Sequence, residues 1–371
     1  MTLPTSSADR PLDVLVVGAG QAGLALGAHL TSRDADFVLV DAGPEIGAAW
    51  RSRWDSLRLF SPARYDSLPG LPFPAPADSH PGKDDVADYL AAYAAHFALP
   101  VRLDTPVTRL HREADGTFTA TTPTGTLRAR QVVVATGPFQ TPHVPALAAR
   151  LDPDVPQLHS AEYRNPAQLP GAGRVLVVGA ANSGLQIAAE LVATQPVTVA
   201  VGTRPTELPQ RIAGRDLFDW LDAVGFFTVP AHTRIARRLR ARGDLVIGTR
   251  SRALRRRGVD LRPRLTDLTG STAVFADGST VDVDAVVWAT GYRPDHSWLH
   301  VPGVLDDAGA IRHTAGVTDV PGLYVLGQPW QTCRGSALLG FVGADAAALA
   351  DRMAAAAGRP WTGSRPPVAT R

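Results

Sequence analysis

Two stretches of the chain share one pattern of apolar and polar positions. Each is an aliphatic run, a glycine-rich turn, a helical apolar stripe and a second short aliphatic run. The first is Leu12-Asp13-Val14-Leu15-Val16-Val17, then Gly18-Ala19-Gly20-Gln21-Ala22-Gly23. Leu24, Leu26, Ala28 and Leu30 carry it on as a helix, and Phe37 to Val40 as a buried strand ending in Asp41. The second is Arg174-Val175-Leu176-Val177-Val178, then Gly179-Ala180-Ala181-Asn182-Ser183-Gly184, with a helix from Leu185 to Val192 and a strand from Val197 to Val201. The period is about half the chain, which indicates two nucleotide-binding units and not a solenoid. Between them, Asp84 and Asp85 open a helix to about Leu99, with Val86, Leu90, Tyr93 and Phe97 as its stripe. Alternation predicts strands at 106–111, 116–121 and 125–130, turning at Asp115-Gly116, and a buried run from Gln131 to Ala135 ends in Thr136-Gly137. Later strands are expected at 272–276 and 279–283 around Asp277-Gly278, at Asp284 to Ala289 before Thr290-Gly291, and at Leu323 to Leu326 before Gly327. A last helix over about 336–357 has Ser336 as its expected N-cap. The proline-rich stretch 62–82 reads as an irregular surface loop, and 1–10 and 362–371 as loose tails.

The first turn has the spacing of a dinucleotide fingerprint in its proper setting of strand, turn, helix, strand and acid. Gly18 makes the turn, Gly20 lets a pyrophosphate approach the backbone, and Gly23 lets helix and strand pack closely. Asp41, 21 residues beyond Gly20, is placed to accept hydrogen bonds from a ribose. In the second turn the middle glycine is Ala181, and its strand runs out into Gly202-Thr203-Arg204-Pro205 with no acid. A carboxylate there suits the free 2′-hydroxyl of NADH; an arginine suits a 2′-phosphate. Arg204, with Arg211 as a second contact, therefore points to NADPH.

Composition narrows the rest. At 371 residues the chain has room for two domains, and its net charge of +2 gives no broad field for nucleic acid or membrane. Cys333 is the only cysteine, so neither an intramolecular disulfide nor a Cys-x-x-Cys pair exists. No apolar run is long enough to span a bilayer and no leader pattern opens the chain, so the expected location is the cytoplasm. No metal-ligand cluster and no Ser-His-Asp pattern stands out. The arginine-dense stretch 234–257 reads as solvated helix faces, or as a patch that draws in nucleotide phosphates.

At this point the chain resembles the flavin-containing monooxygenase family of two-dinucleotide-domain flavoproteins, over nearly its whole length. Gly18 to Gly23 looks like the FAD fingerprint, and Gly47-Ala48-Ala49-Trp50 is similar to the family's Gly-Gly-x-Trp element. Val134-Ala135-Thr136-Gly137 and Trp288-Ala289-Thr290-Gly291-Tyr292 look like its two Ala-Thr-Gly strand ends. Gly179 to Gly184 resembles the NADPH fingerprint, and Leu323-Tyr324-Val325-Leu326-Gly327 the segment closing over FAD, with Gln328 where an acid is frequent. His159 and Tyr163 fit the linking signature F-x-G-x-x-x-H-x-x-x-[FY], whose Phe and Gly positions are Pro153 and Val155 here. This is similar to an outlying branch of small bacterial flavoproteins associated with cation transport or arsenite oxidation.

The resemblance implies an α/β fold of two Rossmann-like domains, an FAD domain of 1–160 and 286–371 interrupted by an NADPH domain of 161–285. It implies a monooxygenase in which NADPH reduces FAD, O₂ adds as a C4a-hydroperoxide, and one oxygen passes to a small soft nucleophile. The implied cofactor contacts are Gly18, Gly20, Gln21, Ala22, Gly23, Asp41, Ala49, Trp50, Trp54, Leu59, Ala135, Thr136, Gly137, Gly179, Asn182, Ser183, Gly184, Arg204, Arg211, Thr290, Gly291, Gly327 and Gln328. Asn182 and Ser61 are the implied catalytic residues, and Trp54, Phe60 and Trp330 further candidates around the flavin ring. Two alternatives stay open: a reductase of a non-disulfide acceptor, and a flavoprotein that senses redox state without turnover.

Overall fold

The computed structural model describes residues 10–169, 171, 173–243, 245–358 and 361. Of the expected tails, all but Arg10 lies outside the described residues. The first sheet is built from β1 (Leu12–Val17), β2 (Phe37–Val40), β3 (Val101–Arg102), β4 (Arg109–Arg112), β5 (Phe118–Thr122) and β6 (Gly125–Val134), in the order β3-β2-β1-β6-β5-β4. Its parallel part is buried on both faces, which is why β2 and, beyond Asp13, β1 read as unbroken aliphatic runs. The runs 125–130 and 131–135, read as two strands, are one. β6 pairs antiparallel with β5 from Gly125 to Ala129 and parallel with β1 from Ala129 to Val134. No turn residue separates the two halves, so nothing breaks the strand.

Helix α1 (Gln21–Thr31) follows the first turn, α2 (Ala48–Arg51) follows Gly47, and α3 (Lys83–His96) follows the proline-rich loop. The Asp85 carboxylate accepts from the Gly82 N–H at 2.7 Å and fixes the start of α3. From β6 the chain crosses, by β7 (Thr141–Pro142), into a second sheet. That sheet holds β8 (Gln157–His159), β9 (Val175–Val178), β10 (Val197–Ala200), β15 (Asp260–Arg262) and β19 (Ala285–Trp288), all parallel, in the order β15-β10-β9-β19-β8. Helix α4 (Asn182–Leu191) packs on β9 and β10.

Between β10 and β15 lies an excursion of β11 (Thr206–Leu208), β12 (Arg211–Ile212), β13 (Arg215–Asp216), α5 (Leu217–Ala223), α6 (Arg234–Ala241), β14 (Leu245–Ile247) and α7 (Ser251–Arg256). A three-stranded antiparallel sheet follows, β16 (Leu265–Thr269), β17 (Thr272–Phe275) and β18 (Thr280–Asp282), before β19. The chain returns through β20 (Tyr292–Arg293) to β21 (Leu323–Val325), which pairs parallel with β6, and ends in α8 (Val342–Ala356) against α1.

The second unit is thus inserted into the first. The two crossings are zipped together: β7 pairs with β20, the His143 N–H donates to Gly291 O at 2.9 Å, and the Asp295 N–H donates to Gln140 Oε1 at 2.7 Å. Because β8 and β19 are strands of the second sheet, limits at 160/161 and 285/286 run through that sheet; by pairing, the crossings lie before Gln157 and after Trp288. The last helix starts six residues later than expected. Phe341, not Ser336, precedes it, and Ser336 is buried, its hydroxyl accepting from the Thr332 and Cys333 N–H groups at 3.0 and 3.1 Å. The Ser336 hydroxyl is thus bonded back into the preceding loop and not forward to a first helical turn, and at Gly340 the loop lies so close to the Tyr65 carbonyl that a Cβ would overlap it.

Candidate functional site

The first turn is shaped to receive a pyrophosphate. Gly18 has φ 107°, and a Cβ on it would sit 2.5 Å from the Ala135 carbonyl oxygen, so only glycine fits between the strand ends. A Cβ at Gly23 overlaps the carbonyl of Gly18, so α1 lies directly on the turn. Gly20 differs: its backbone is ordinary (φ −77°, ψ −172°), and a Cβ there meets nothing within 4 Å. That open space lies over the first N–H groups of α1, where a phosphate is favoured. Asp41 is already aimed at the turn, Oδ2 accepting from the Ala19 N–H at 2.7 Å and Oδ1 from the Gly43 N–H at 2.8 Å. Gly327 closes the site from β21, with φ 80° and a would-be Cβ 2.7 Å from the Ala22 methyl. Gln21 donates to Ala337 O at 3.0 Å and ties the turn to the loop before α8. Ala135 is buried beside the turn, and the Thr136 hydroxyl and Gly137 carbonyl accept from Gln140. Ala49 and Trp50 lie on α2, Trp50 half-buried against the first core.

The second turn repeats this frame. Gly179 has φ 117°, and a Cβ there overlaps the Ala289 carbonyl; one at Gly184 overlaps that of Gly179. Ala181 has φ −81° and ψ −175°, nearly the values of Gly20, so its methyl carries no backbone strain. Ser183 lies half-buried in the first turn of α4. Arg204 is exposed past the carboxyl end of β10, where a Rossmann unit holds its nucleotide. Arg211 sits in the β12–β13 hairpin and donates to Gly214 O at 2.6 Å. The arginine-dense stretch forms α6, β14 and α7, with most of its arginines exposed.

Both candidate catalytic side chains already have partners. Asn182 donates to Leu245 O at 2.8 Å and accepts from the Ile247 N–H at 3.3 Å, so its amide braces the second turn against β14. The Ser61 hydroxyl donates to Asp66 Oδ1 at 2.5 Å inside the protein. Burial pushes the Asp66 carboxyl up to about 7, against the lowering effect of that bond, and its Oδ2 has no partner among the described residues. Asp66 carried no signal in the sequence. Trp54, expected beside the flavin ring, is 4% exposed and packs with Tyr163, Val175 and Leu185 of the second unit, its Nε1 without a partner among the described residues. Its ring supplies packing area across the seam. Leu59 is half-buried against the first core, and Phe60 joins the aromatic cluster of Tyr65, Phe218, Phe227 and Phe341 that holds α5 to the loop before α8.

The linking residues hold strand ends together. His159 Nδ1 accepts from the Ala161 N–H at 3.1 Å, which leaves Nε2–H to donate to Gly291 O at 3.0 Å. Burial lowers its pKa and favours this neutral form. The Tyr163 hydroxyl donates to Glu190 of α4 at 2.9 Å. Thr290 donates to the His143 carbonyl. Tyr292 accepts from Arg53, whose guanidinium lies over the rings of Tyr292 and Phe139. Nothing near Arg53 in sequence marks these partners.

A family profile described as pyridine nucleotide-disulphide oxidoreductase matches residues 15–214. An uncharacterized CzcO-like oxidoreductase of Geobacillus kaustophilus is 44% identical over 336 residues, covering 90% of this chain and 96% of the relative. An indole-3-pyruvate monooxygenase, YUCCA1 of Oryza sativa subsp. japonica, is 30% identical over 84% of this chain and 86% of its own. The solved flavin-containing monooxygenase from Stenotrophomonas maltophilia superposes with a TM-score of 0.76 at 31% identity, over 93% of this chain and 98% of that one.

Proposed function

This chain belongs to the flavin monooxygenase family within the pyridine nucleotide-disulphide oxidoreductases, and on that premise we propose that it inserts one oxygen of O₂ into a small, soft-nucleophile substrate in the cytoplasm. It is an FAD- and NADPH-dependent oxidoreductase, and its single cysteine separates it from the disulfide chemistry in the family's name. The overall change is NADPH + H⁺ + O₂ + substrate to NADP⁺ + H₂O + oxygenated substrate. FAD, when bound, supplies the hydride acceptor and the centre that reacts with O₂.

The observation that carries this reading is the pair of matched turns, joined by crossings that pair with each other through β7 and β20. The open space over Gly20, backed by Asp41 and closed by Gly327, fits the FAD pyrophosphate and ribose. The turn at Gly179 to Gly184 fits the NADPH pyrophosphate, with Arg204 toward the 2′-phosphate. Between them, Trp54, Phe60 and the loop before α8 shield the seam from water, which any oxygen-transferring flavin requires. Asn182 sets the second turn on β14 with one amide N–H and its oxygen, and its second N–H would be the one to meet a bound cofactor.

The test is rapid mixing of the NADPH-reduced holoenzyme with isotopically labelled O₂, followed by a panel of sulfides, amines and ketones. A C4a-oxygen adduct in the flavin spectrum, and label in one product, are expected. Hydrogen peroxide equal to the NADPH consumed across the whole panel would leave a reductase in its place.

A further inference from the structure

The turn that leaves α2 reaches out of the first unit with three successive residues. Arg53 Nη1 donates to the Tyr292 hydroxyl, and its guanidinium is centred 5.1 Å from the Tyr292 ring and 5.7 Å from that of Phe139. Trp54 packs with Tyr163, Val175 and Leu185. The Asp55 N–H donates to Arg164 O at 2.8 Å, and its carboxylate accepts from Asn165 Nδ2 at 2.7 Å. Phe139 stands on the first crossing, two residues past Gly137, and Tyr292 on the second, next to Gly291. Their rings meet edge-on at 5.5 Å, and His159, at the end of β8, meets the Tyr292 ring edge-on at 5.1 Å. Arg53 is therefore a side chain of the first unit that touches both crossings at once.

The base of this strut is stiff. α2 is seated on α3, with Gly47 so close to Ala87 that a Cβ would lie 2.7 Å from the Ala87 Cα. Arg51 pairs with Glu45, Asp84 and Asp88 at 3.0, 3.4 and 2.8 Å, and Arg53 Nε donates back to Ala49 O at 3.1 Å. The two arginines differ at their far ends. Arg51 meets carboxylates of its own unit, whereas the guanidinium of Arg53 meets a hydroxyl and two π-faces of the crossings, and no carboxylate among the described residues. Arg51 thus fixes α2 to α3, and Arg53 fixes it to the crossings. Phe139 is 65% exposed, so the stack lies at the surface and opens without breaking a core. A cation over exposed rings and one hydrogen bond to a neutral hydroxyl together shift an equilibrium by about tenfold. That is enough to choose between two settings of the crossings and too little to hold the fold.

We propose that Arg53 is a positioning residue for hydride delivery: through Phe139 and Tyr292 it sets the second unit against α2, and so aligns the nicotinamide nucleotide of one unit with the flavin of the other. The assignment rests on the reading above, in which each turn holds its own cofactor, and adds the side chain that fixes one relative to the other. Arg53 acts through the crossings and touches neither reacting ring. It also accounts for the order of residues in the turn, since Trp54 and Asp55 bind the body of the second unit while Arg53 binds the place where the chain enters and leaves it.

The experiment is anaerobic stopped-flow reduction of the holoenzyme by NADPH, so that O₂ and substrate play no part. Arg53→Ala is expected to lower the limiting rate of flavin reduction about tenfold, with flavin content and the affinity for 2′,5′-ADP unchanged. Arg53→Lys, which keeps a cation near the rings, is expected to recover part of that loss. Tyr292→Phe, which keeps the ring and removes the hydroxyl, is expected to lose about threefold. A second readout needs no turnover: the long-wavelength charge-transfer absorbance of reduced flavin with NADP⁺ weakens in Arg53→Ala in step with the rate. An unaltered limiting rate in Arg53→Ala, no recovery in Arg53→Lys, or a loss that follows weaker 2′,5′-ADP binding or missing flavin overturns the proposal. If Arg53→Ala does not fold, Tyr292→Phe carries the test, and an unaltered rate there overturns it. Hydrogen peroxide in place of oxygenated product would refute the monooxygenase reading and leave this assignment standing, because flavin reduction precedes both outcomes.

Discussion

Replacing Gly20 separates binding from folding more cleanly than any other change in the first turn. Its backbone is one any residue adopts, and a side chain there points into space that no protein atom occupies within 4 Å. Gly20→Val therefore costs the fold only an N-cap preference, about 1 kcal/mol. Gly18 and Gly23 behave differently. At Gly18 a Cβ lies 2.5 Å from the Ala135 carbonyl in left-handed backbone, and at Gly23 it overlaps the Gly18 carbonyl, so Ala pushes the turn off the end of β6 in the first case and α1 off the turn in the second. For the cofactor the order reverses. A pyrophosphate at the turn takes charge-assisted hydrogen bonds worth roughly 1.5–3 kcal/mol each. Holding it off two of them weakens FAD by roughly a hundredfold or more.

Gly20→Val is thus expected to purify folded and colourless. Gly20→Ala should retain part of its flavin, because Ala181 places the same methyl in the same backbone conformation at the second turn. The measurements are the flavin-to-protein absorbance ratio after desalting and the melting temperature of the flavin-free forms. Full flavin content in Gly20→Val would refute the placement of the pyrophosphate. A flavin-free variant melting more than about 10 °C below the flavin-free parent would refute the claim that the space belongs to the ligand.

Three further outcomes follow from particular residues. NADPH should exceed NADH in kcat/KM by about tenfold or more, and Arg204→Ala should erase most of that margin; Arg211→Ala, whose side chain bonds back to Gly214, should change it less, and equal use of both nucleotides by the parent removes the assignment. Cys333→Ser should keep NADPH oxidation and product formation, because the polar contact of the thiol among the described residues is Ser336 Oγ at 3.8 Å and no second cysteine exists; a loss of two orders of magnitude with flavin still bound would point to a thiol mechanism. Asp66, beside Ser61 and within the field of Tyr89, keeps its proton to about pH 7 when folded and only to about 3.9 when unfolded. The native state then holds the extra proton between those values, so this group's contribution falls as pH rises from about 4 to 7 and is level above. Asp66→Asn should match the parent near pH 4 and exceed it at pH 8 by up to about 4 kcal/mol; denaturant unfolding with parallel pH slopes in the two proteins would refute this.

The two nucleotide turns were legible because their chemistry is local. Strand, glycine spacing and helix follow one another within a dozen residues, and the backbone itself makes the site. The crossings were legible only through resemblance: the physical device, β7 paired with β20 and Gln140 bonded across to Asp295, joins residues about 150 positions apart. The single β6 was missed because an antiparallel edge alternates while a parallel core does not, and the pattern change inside one strand imitates a boundary. Ser336 has the residue type of an N-cap, yet its hydroxyl takes the N–H groups of Thr332 and Cys333 behind it, and the helix begins only at Val342.

The side chains at the seam show where sequence reading stops. Asn182 follows a fingerprint and Ser61 lies in a loop that the resemblance places near the flavin, so both invite a chemical role. What each can do depends on partners 63 and 5 positions away, and those partners fix which donors and lone pairs are left over: the second N–H of Asn182 and the acceptor side of the Ser61 hydroxyl. Trp54 and Trp330 are alike in the sequence as tryptophans near expected flavin contacts. The fold separates them: Trp54 packs into the core of the second unit with its Nε1 unpartnered among the described residues, whereas Trp330 stands half-exposed in left-handed backbone with the guanidinium groups of Arg240 and Arg334 over its ring. Arg240 comes from α6, 90 positions earlier in the chain, so neither the burial of one ring nor the cations on the other could be read from the residues beside it.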